Sequence, residues 1–290
     1  MREAVGNSLR IRDALAEATA RLRDAQVAEA RREAASLLAH ALGRDRTYLI
    51  THAEETISRS TLEAFRTMLA RRASGEPLQY ITGRQEFWGL EFVVTPDVLI
   101  PRPETELIVE AALEAATDRA MMICDVGTGS GCIAVALLKE KICARAIGLD
   151  ISAAALRVAA HNARRHNVAD RFMLVASDCF AALDEESARF DLVVANPPYV
   201  AERDLPRLQR EVRDFEPRLA LTAGPDELRL IRRLLTDAPR FLRAGGHLIF
   251  EIGCGQTQAV RKLIDARWWS LLDIKRDLQG IARTVCLRRL

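Results

Sequence analysis

The chain has 290 residues, 49% of them hydrophobic and 28% charged, with a formal net charge of +2. That balance suits a globular protein of one large or two ordinary domains, and it excludes a disordered polyelectrolyte or an overall field that would draw a polyanion. No stretch approaches the apolar length of a membrane span, and Met1 to Arg12 mixes charges without an apolar leader core, so a cytoplasmic location is expected.

Residues 1–73 are expected to form a small helical domain. Between 8 and 72 the chain is rich in Ala, Leu, Arg and Glu, with Leu9, Ile11, Leu15, Leu22, Val27, Ala34, Leu37, Leu38 and Leu42 at helical spacing. Gly43 ends one predicted helix, and Ser60 to Arg71 forms another capped by Ser60 or Thr61. Residues 74–103 read as a structured connector, because Gly and Pro interrupt aromatic and β-branched pieces. Within it, Glu86 to Leu90 and Glu91 to Thr95 predict a short hairpin around Gly89.

From 104 to 290 strands and helices alternate, which builds a parallel sheet covered by helices on both faces. The predicted elements are strand Met121 to Val126, helix Cys132 to Glu140, strand Ala144 to Asp150, helix Ala153 to Arg165, strand Arg171 to Ser177 and strand Phe190 to Ala195. A helix near Glu227 to Leu242, a strand Gly246 to Ile252 and a helix near Gln256 to Ala266 follow. The last two strands, Trp269 to Arg276 and Ala282 to Arg288, are joined closely enough through Gln279-Gly280 to pair antiparallel. Six cysteines (Cys124, Cys132, Cys143, Cys179, Cys254, Cys286) show no CxxC pair and no accompanying His. They read as reduced core thiols, with no metal site.

Three features carry chemistry. Asp125-Val126-Gly127-Thr128-Gly129-Ser130-Gly131 follows a buried strand and opens a helix, so the backbone turns sharply at the carboxyl edge of the sheet and approaches a nucleotide-like ligand closely. A dinucleotide fingerprint wants its third glycine at position 132, which is Cys132, and no Lys-Ser or Lys-Thr follows as a phosphate-cradling loop requires. Glycines that merely relieve packing are the plainer alternative. Asp150 ends the second strand, where a carboxylate accepts both hydroxyl protons of a ribose; Ser152 is available to cap the next helix in its place. Asp178, after the third strand, is placed to accept from an adenine amino group. A solvated strand-end Asp is the plainer reading of each.

The third feature is Asn196-Pro197-Pro198-Tyr199, directly after the apolar run Phe190 to Ala195. Two prolines hold Asn196 and Pro197 extended, with carbonyls that no helix consumes. Those carbonyls and the Asn196 side-chain oxygen accept hydrogen bonds from an NH2 group, and Tyr199 offers a stacking face. A simple turn or a surface ligand is the alternative.

The glycine motif together with Asn196-Pro197-Pro198-Tyr199 resembles the class I S-adenosylmethionine-dependent methyltransferases that act on amino groups. Pro77-Leu78-Gln79-Tyr80, Glu86-Phe87-Trp88-Gly89-Leu90 and Leu99-Ile100-Pro101-Arg102-Pro103-Glu104-Thr105-Glu106 narrow the resemblance to the PrmC/HemK family, from about residue 10 to the end. Asp277-Leu278-Gln279-Gly280 with Arg283 also looks like that family. The resemblance implies an α/β, Rossmann-like fold: a mostly parallel seven-stranded sheet with an antiparallel last strand, plus a small all-α amino-terminal domain. It implies S-adenosyl-L-methionine as cofactor, held by Gly127, Thr128, Gly129, Ser130, Gly131, Asp150, Asp178, Cys179 and Asn196. Asn196, Pro197 and Tyr199 would be catalytic, and Pro198 would join them in binding substrate. One departure stands out: related sequences often place an aromatic where this chain has Cys179, which leaves ring packing there to Phe180.

The implied reaction is methyl transfer to the side-chain amide nitrogen of the glutamine in the Gly-Gly-Gln motif of peptide chain release factors, class-1 factors being the protein partner. No membrane and no nucleic acid are required, and the chain is expected to act as a monomer. The rivals are a nucleic-acid amino-methyltransferase, a glutamine methyltransferase acting on a ribosomal protein, and a noncatalytic module that kept the cofactor fold. Phe87 and Trp88 read as anchors of the connector. Pro101 to Glu106 reads equally as a helix start or as one wall of a cleft, and His161 and His166 read as solvated.

Overall fold

The computed structural model describes residues 9–116, 121–140, 143–186 and 189–290, so most of the Met1 to Arg12 segment lies outside the described residues. The chain divides into two compact units. One runs to Gly83 and includes Arg210–Phe215; the other comprises Arg84–Gln209 and Glu216–Leu290. Among the described residues no helix is long and apolar enough to cross a membrane.

The first unit contains α1 (Ile11–Asp24), α2 (Ala30–Leu42), α3 (Arg46–Thr51), α4 (Arg59–Ala73) and α5 (Leu78–Thr82). Apolar positions at helical spacing turn inward, and Leu22, Leu37, Leu38 and Phe65 are fully buried among them. Gly43 closes α2 in the left-handed conformation. The cap of α4 is Ser58, two residues before the expected start, because its hydroxyl oxygen accepts from the Thr61 N–H. Arg72, at the end of α4, is 2% exposed and pairs with Glu33 and with Glu211. The segment expected as a connector therefore divides at Gly83, α5 falling in the helical unit and the hairpin in the other.

In the second unit, β1 (Arg84–Phe87) and β2 (Leu90–Val93) form the hairpin. Trp88 and Gly89 make its two-residue turn with φ of 54° and 66°, the left-handed pair such a turn needs, which places the strands earlier than predicted. Phe87 is buried against Phe92, as an anchor should be. His166 is a correction. It is half-buried rather than solvated, because its ring packs on Phe92 and its Nε2 lies 3.0 Å from the Glu91 carbonyl. His161 is exposed.

A short 3-10 turn, Pro103–Thr105, leads into α6 (Glu106–Glu114). The alternation then runs β3 (Met121–Val126), α7 (Cys132–Lys139), β4 (Cys143–Asp150), α8 (Ala153–Arg165), β5 (Phe172–Ala176) and β6 (Phe190–Ala195). After α9 (Arg210–Phe215) and α10 (Arg218–Leu221) come α11 (Arg229–Phe241), β7 (Leu242–Glu251), α12 (Thr257–Leu263), β8 (Trp269–Arg276) and β9 (Ala282–Arg289). The seven-stranded sheet has the order β5-β4-β3-β6-β7-β9-β8. It is parallel from β5 to β7, while β9 runs antiparallel between β7 and β8.

β6 is buried along its whole length, as a central strand covered on both faces must be. Its one charge, Asp191, is held by the Met122 N–H at 2.9 Å and by Arg243. β7 starts at Leu242, earlier than the predicted Gly246, because Leu242 already pairs with Phe190 before the register shifts. Of the cysteines, Cys124, Cys132, Cys179 and Cys286 are buried as expected; Cys254 is exposed, in a turn between β7 and α12. The chain proceeds from β3 to one side of the sheet and returns to the other side at β6. That reversal opens a crevice at the carboxyl ends of the strands, the place where such sheets bind ligands.

Candidate active site

A cleft of about 230 Å³ lies at that reversal. Val126 to Ser130 line one wall of it. The loop is tied to the neighbouring strand, since the Gly127 and Thr128 N–H groups both donate to the Leu149 carbonyl. Gly127 and Gly129 have φ of 75° and 54°, and a side chain at Gly127 would meet nothing within 4 Å. Backbone conformation and an open approach, rather than close packing, therefore call for glycine there. Gly131 stands apart from the lining. A β-carbon at that position would sit 3.2 Å from both Ala159 and Phe172, so its task is close helix packing.

Asp150 lies on the cleft with Ile151 and Ser152. Its Oδ2 accepts from the Gly129 N–H at 2.9 Å and its Oδ1 from the Ser152 N–H at 2.8 Å. Ser152 itself caps α8, accepting from the Ala155 N–H, so Asp150 is spared that task. A carboxylate oxygen accepts more than one hydrogen bond, so each retains capacity toward a ligand hydroxyl. Asp178 and Cys179 also line the cleft. Arg233 on α11 grips Asp178 twice, at its carboxylate (2.6 Å) and at its main-chain carbonyl (3.0 Å). Cys179 is buried with a left-handed φ of 55°, and burial pushes its thiol up to about 11.

Phe180 does not supply the ring that Cys179 lacks. It is stacked on Phe241 with centroids 4.9 Å apart, inside the core and away from the cleft. The cleft offers aliphatic surface instead: Ile151 and Leu219, which are 63% and 71% exposed, and Leu230.

Asn196 and Pro198 lie on the cleft wall, whereas Pro197 and Tyr199 are outside the lining. The Asn196 Nδ2 donates to the Thr105 hydroxyl oxygen at 3.0 Å. Thr105 donates in turn to Glu251 Oε2 at 2.7 Å, and the Tyr199 hydroxyl donates to Glu251 Oε1 at 3.0 Å. Thr105 and Glu251 are 2% and 1% exposed. Burial pushes the Glu251 carboxyl up, against the two hydroxyl donors and the Arg283 guanidinium. Burial and the Glu251 charge push the Tyr199 hydroxyl up as well, so it stays protonated and donates. A β-carbon at Gly253 would meet the Tyr199 ring at 3.0 Å, and the Gln256 side chain holds the Tyr199 carbonyl.

Pro101 and Thr105 line the cleft, and Pro103–Thr105 also starts the helical stretch, so Pro101 to Glu106 is both helix start and cleft wall. Arg102 pairs with the buried Glu216 at 2.5 Å. Asp277 pairs with Arg283 at 2.9 Å and takes two backbone N–H groups of its own turn. Glu251, Thr105 in its hydrogen-bonding role, and Arg233 escaped the sequence reasoning. The signal for Glu251 was a carboxylate directly after the apolar run Leu248-Ile249-Phe250.

Together the acidic strand ends, the open glycine loop and the aliphatic shelf suit a nucleoside with a free diol and an amino group. The Asn196 corner beside them suits an NH2-bearing substrate.

Comparison with known proteins extends this picture. Residues 13–83 match the PrmC N-terminal domain, and residues 103–212 match the Methyltransferase small domain. The release factor glutamine methyltransferase of Nitratidesulfovibrio vulgaris is 42% identical over 277 residues, covering 95% of this chain and 94% of that protein. The protein of the same name from Cereibacter sphaeroides is 44% identical, covering 97% and 99%. A methyltransferase structure from Pyrococcus furiosus superposes with a TM-score of 0.52 at 16% identity, over 77% of this chain and 98% of that one, a likeness of fold.

Proposed function

The chain belongs to the release factor glutamine methyltransferase family, and from that membership we propose how its own residues perform the transfer of a methyl group from S-adenosyl-L-methionine to the glutamine side-chain nitrogen of the Gly-Gly-Gln motif in class-1 peptide chain release factors. The nucleic-acid and ribosomal-protein alternatives are not favoured.

The cleft fits the methyl donor by its chemistry. Asp150 faces it with acceptor capacity for the ribose diol, Gly127 and Gly129 leave backbone room, and Asp178 with the Cys179 main chain borders the adenine side. When bound there, S-adenosylmethionine supplies an electrophilic methyl group on a sulfonium. Thr128 and Ser130 complete the loop, while Gly131 lets α8 pack closely behind it.

The observation that carries the catalytic reading is Asn196 on the cleft wall with its Nδ2 engaged by Thr105. Its carboxamide oxygen is thereby the acceptor end, matched to a glutamine NH2. An amide nitrogen is a poor nucleophile because its lone pair is delocalised into the carbonyl. Holding the two N–H bonds on Asn196 Oδ1 and the Pro197 carbonyl aims that nitrogen, and positioning of this kind supplies roughly 7–11 kcal/mol of barrier reduction. Tyr199, pinned by Glu251, shapes the pocket behind Pro198. The proton leaves after the new bond has formed, so no strong base is required.

The helical unit is the natural surface for the protein partner, and the sheet unit holds the donor. The chain works in the cytoplasm as a monomer and needs no nucleic acid. Asn196→Ala tests the catalytic reading: kcat for the release factor should collapse while S-adenosylmethionine affinity stays close to wild type. Equal losses in both would make Asn196 a wall of the donor pocket instead.

A further inference from the structure

The corner behind Asn196 contains a carboxylate that touches neither the cleft nor solvent. Glu251 ends β7, is 1% exposed, and takes a hydroxyl proton on each oxygen, from Thr105 at 2.7 Å and from Tyr199 at 3.0 Å. Thr105 enters from the turn before α6, also buried, and touches the Asn196 Nδ2 at 3.0 Å. Three elements distant in sequence thus meet in one hydrogen-bond chain.

The direction of that chain is not free. In its ionised form, with a hydroxyl on each oxygen, Glu251 only accepts, so the Thr105 hydroxyl donates to it. Its oxygen then has lone pairs alone to offer Asn196, and the atom of a carboxamide that can meet lone pairs is its NH2. A reversed Asn196 would bring its oxygen against the Thr105 oxygen, two acceptors face to face in a buried site, and would turn a donor toward a substrate that is itself a donor. We propose that Glu251 is a positioning residue for the methyl transfer: acting through Thr105, it dictates which end of the Asn196 carboxamide faces the cleft. The inference rests on Asn196 as the acceptor for the substrate NH2.

Glu251→Gln is the discriminating change because it preserves shape and replaces one acceptor by a donor. Where the introduced amide donates to Thr105, the Thr105 hydroxyl turns to Asn196 and recruits its oxygen, reversing the carboxamide. Tyr199 pins the neighbouring proline loop in either case, so the loop itself need not move.

The test compares purified Glu251→Gln, Thr105→Val, Thr105→Ser and Asn196→Ala with wild type. It measures kcat and KM on a release factor, S-adenosylmethionine affinity by calorimetry, and folding by circular dichroism. Glu251→Gln and Thr105→Val should each lose about 10²-fold in kcat, the scale of a small misplacement in a positioned reaction, with donor affinity unchanged in Glu251→Gln, whose side chain lies off the cleft lining. Thr105→Ser, which keeps the hydroxyl, should restore most of the rate. If Thr105→Val fails to fold, the isosteric Glu251→Gln decides alone. Wild-type kcat in Glu251→Gln beside an inactive Asn196→Ala overturns the proposal and leaves Asn196 in place. Parallel loss of donor affinity in Glu251→Gln also overturns it, by making Glu251 part of the donor pocket. An Asn196→Ala enzyme with wild-type kcat removes the reading of Asn196 itself, and the proposal with it.

Discussion

Arg233 holds Asp178 at two points, its carboxylate at 2.6 Å and its main-chain carbonyl at 3.0 Å. One guanidinium thus fixes both the side chain and the backbone of the strand end that leads into the left-handed Cys179. Asp178→Ala should weaken S-adenosylmethionine binding roughly tenfold, the worth of one hydrogen bond to a charged group. Arg233→Ala should cost less, at most about fivefold, because the pair is screened by solvent, Arg233 being 33% and Asp178 61% exposed. Isothermal titration of both variants checks the order; a larger loss for Arg233→Ala would mean that the guanidinium itself contacts the ligand.

Asp150 joins the glycine loop to α8 through the Gly129 and Ser152 N–H groups. Asp150→Asn keeps the shape but exchanges one acceptor for a donor that faces an N–H. S-adenosylmethionine affinity should fall by about 10- to 100-fold, since the exchange leaves a half-buried N–H unmet at a cost of about 1 kcal/mol, beyond the lost ligand contact. Equilibrium binding measures this directly, and an unchanged Kd would remove Asp150 from the ribose site.

Much of this arrangement was legible in the sequence, and the reason is locality. The glycine loop, Asp150 and Asn196 each sit at the end of a strand whose apolar run and following helix or prolines are contiguous, so sequence spacing alone puts them at one sheet edge. The hairpin was legible too, but shifted, because the turn falls on Trp88 as well as Gly89 and Trp is not an obvious left-handed residue. What was hidden depends on distant partners. Thr105 and Glu251 are 146 positions apart, and nothing local marks them as neighbours. Phe180 stood next to the expected adenine side, yet stacking on Phe241 draws it into the core. His166 looked solvated until the hairpin placed Phe92 and Glu91 over it.

Gly148 lies inside β4, where an added β-carbon would sit 2.8 Å from the Phe172 ring and 2.9 Å from Leu174. Gly148→Ala should destabilise the fold by about 1–3 kcal/mol, the usual cost of overpacking a filled core. Urea unfolding of the variant gives the value; a cost near zero would show that Phe172 and Leu174 move aside freely.

Arg72 is buried between Glu33 and Glu211. Arg72→Ala leaves two carboxylates without their cation and should cost about 3 kcal/mol, toward the low end for a broken buried pair because Glu211 is 39% exposed. Arg72→Met, which keeps the packing volume, should recover only part of that loss. Thermal melts rank the two, and equal melting temperatures for Ala and Met would assign the whole effect to lost charge.

Burial pushes the Asp125 carboxyl from 3.8 up to about 7, against the hydroxyl hydrogen bond from Thr128. The folded protein therefore binds this proton more tightly than the unfolded chain. The resulting stability is fully present below the unfolded value and is lost as pH rises through about 7. Asp125→Asn cannot titrate, so unfolding free energies measured at about pH 5 and about pH 8 should show wild type losing ground to the variant at the higher pH. Identical pH dependence would mean that Asp125 titrates at its ordinary value.

The central claim, methyl transfer to a glutamine amide, is tested most directly by tritium transfer from labelled S-adenosylmethionine to purified release factor, with a Gly-Gly-Ala version of that factor and nucleic acid in parallel. Label should appear on the intact factor and be absent from the Gly-Gly-Ala version and from nucleic acid. Label on nucleic acid, or equal label on both versions of the factor, would contradict the assignment.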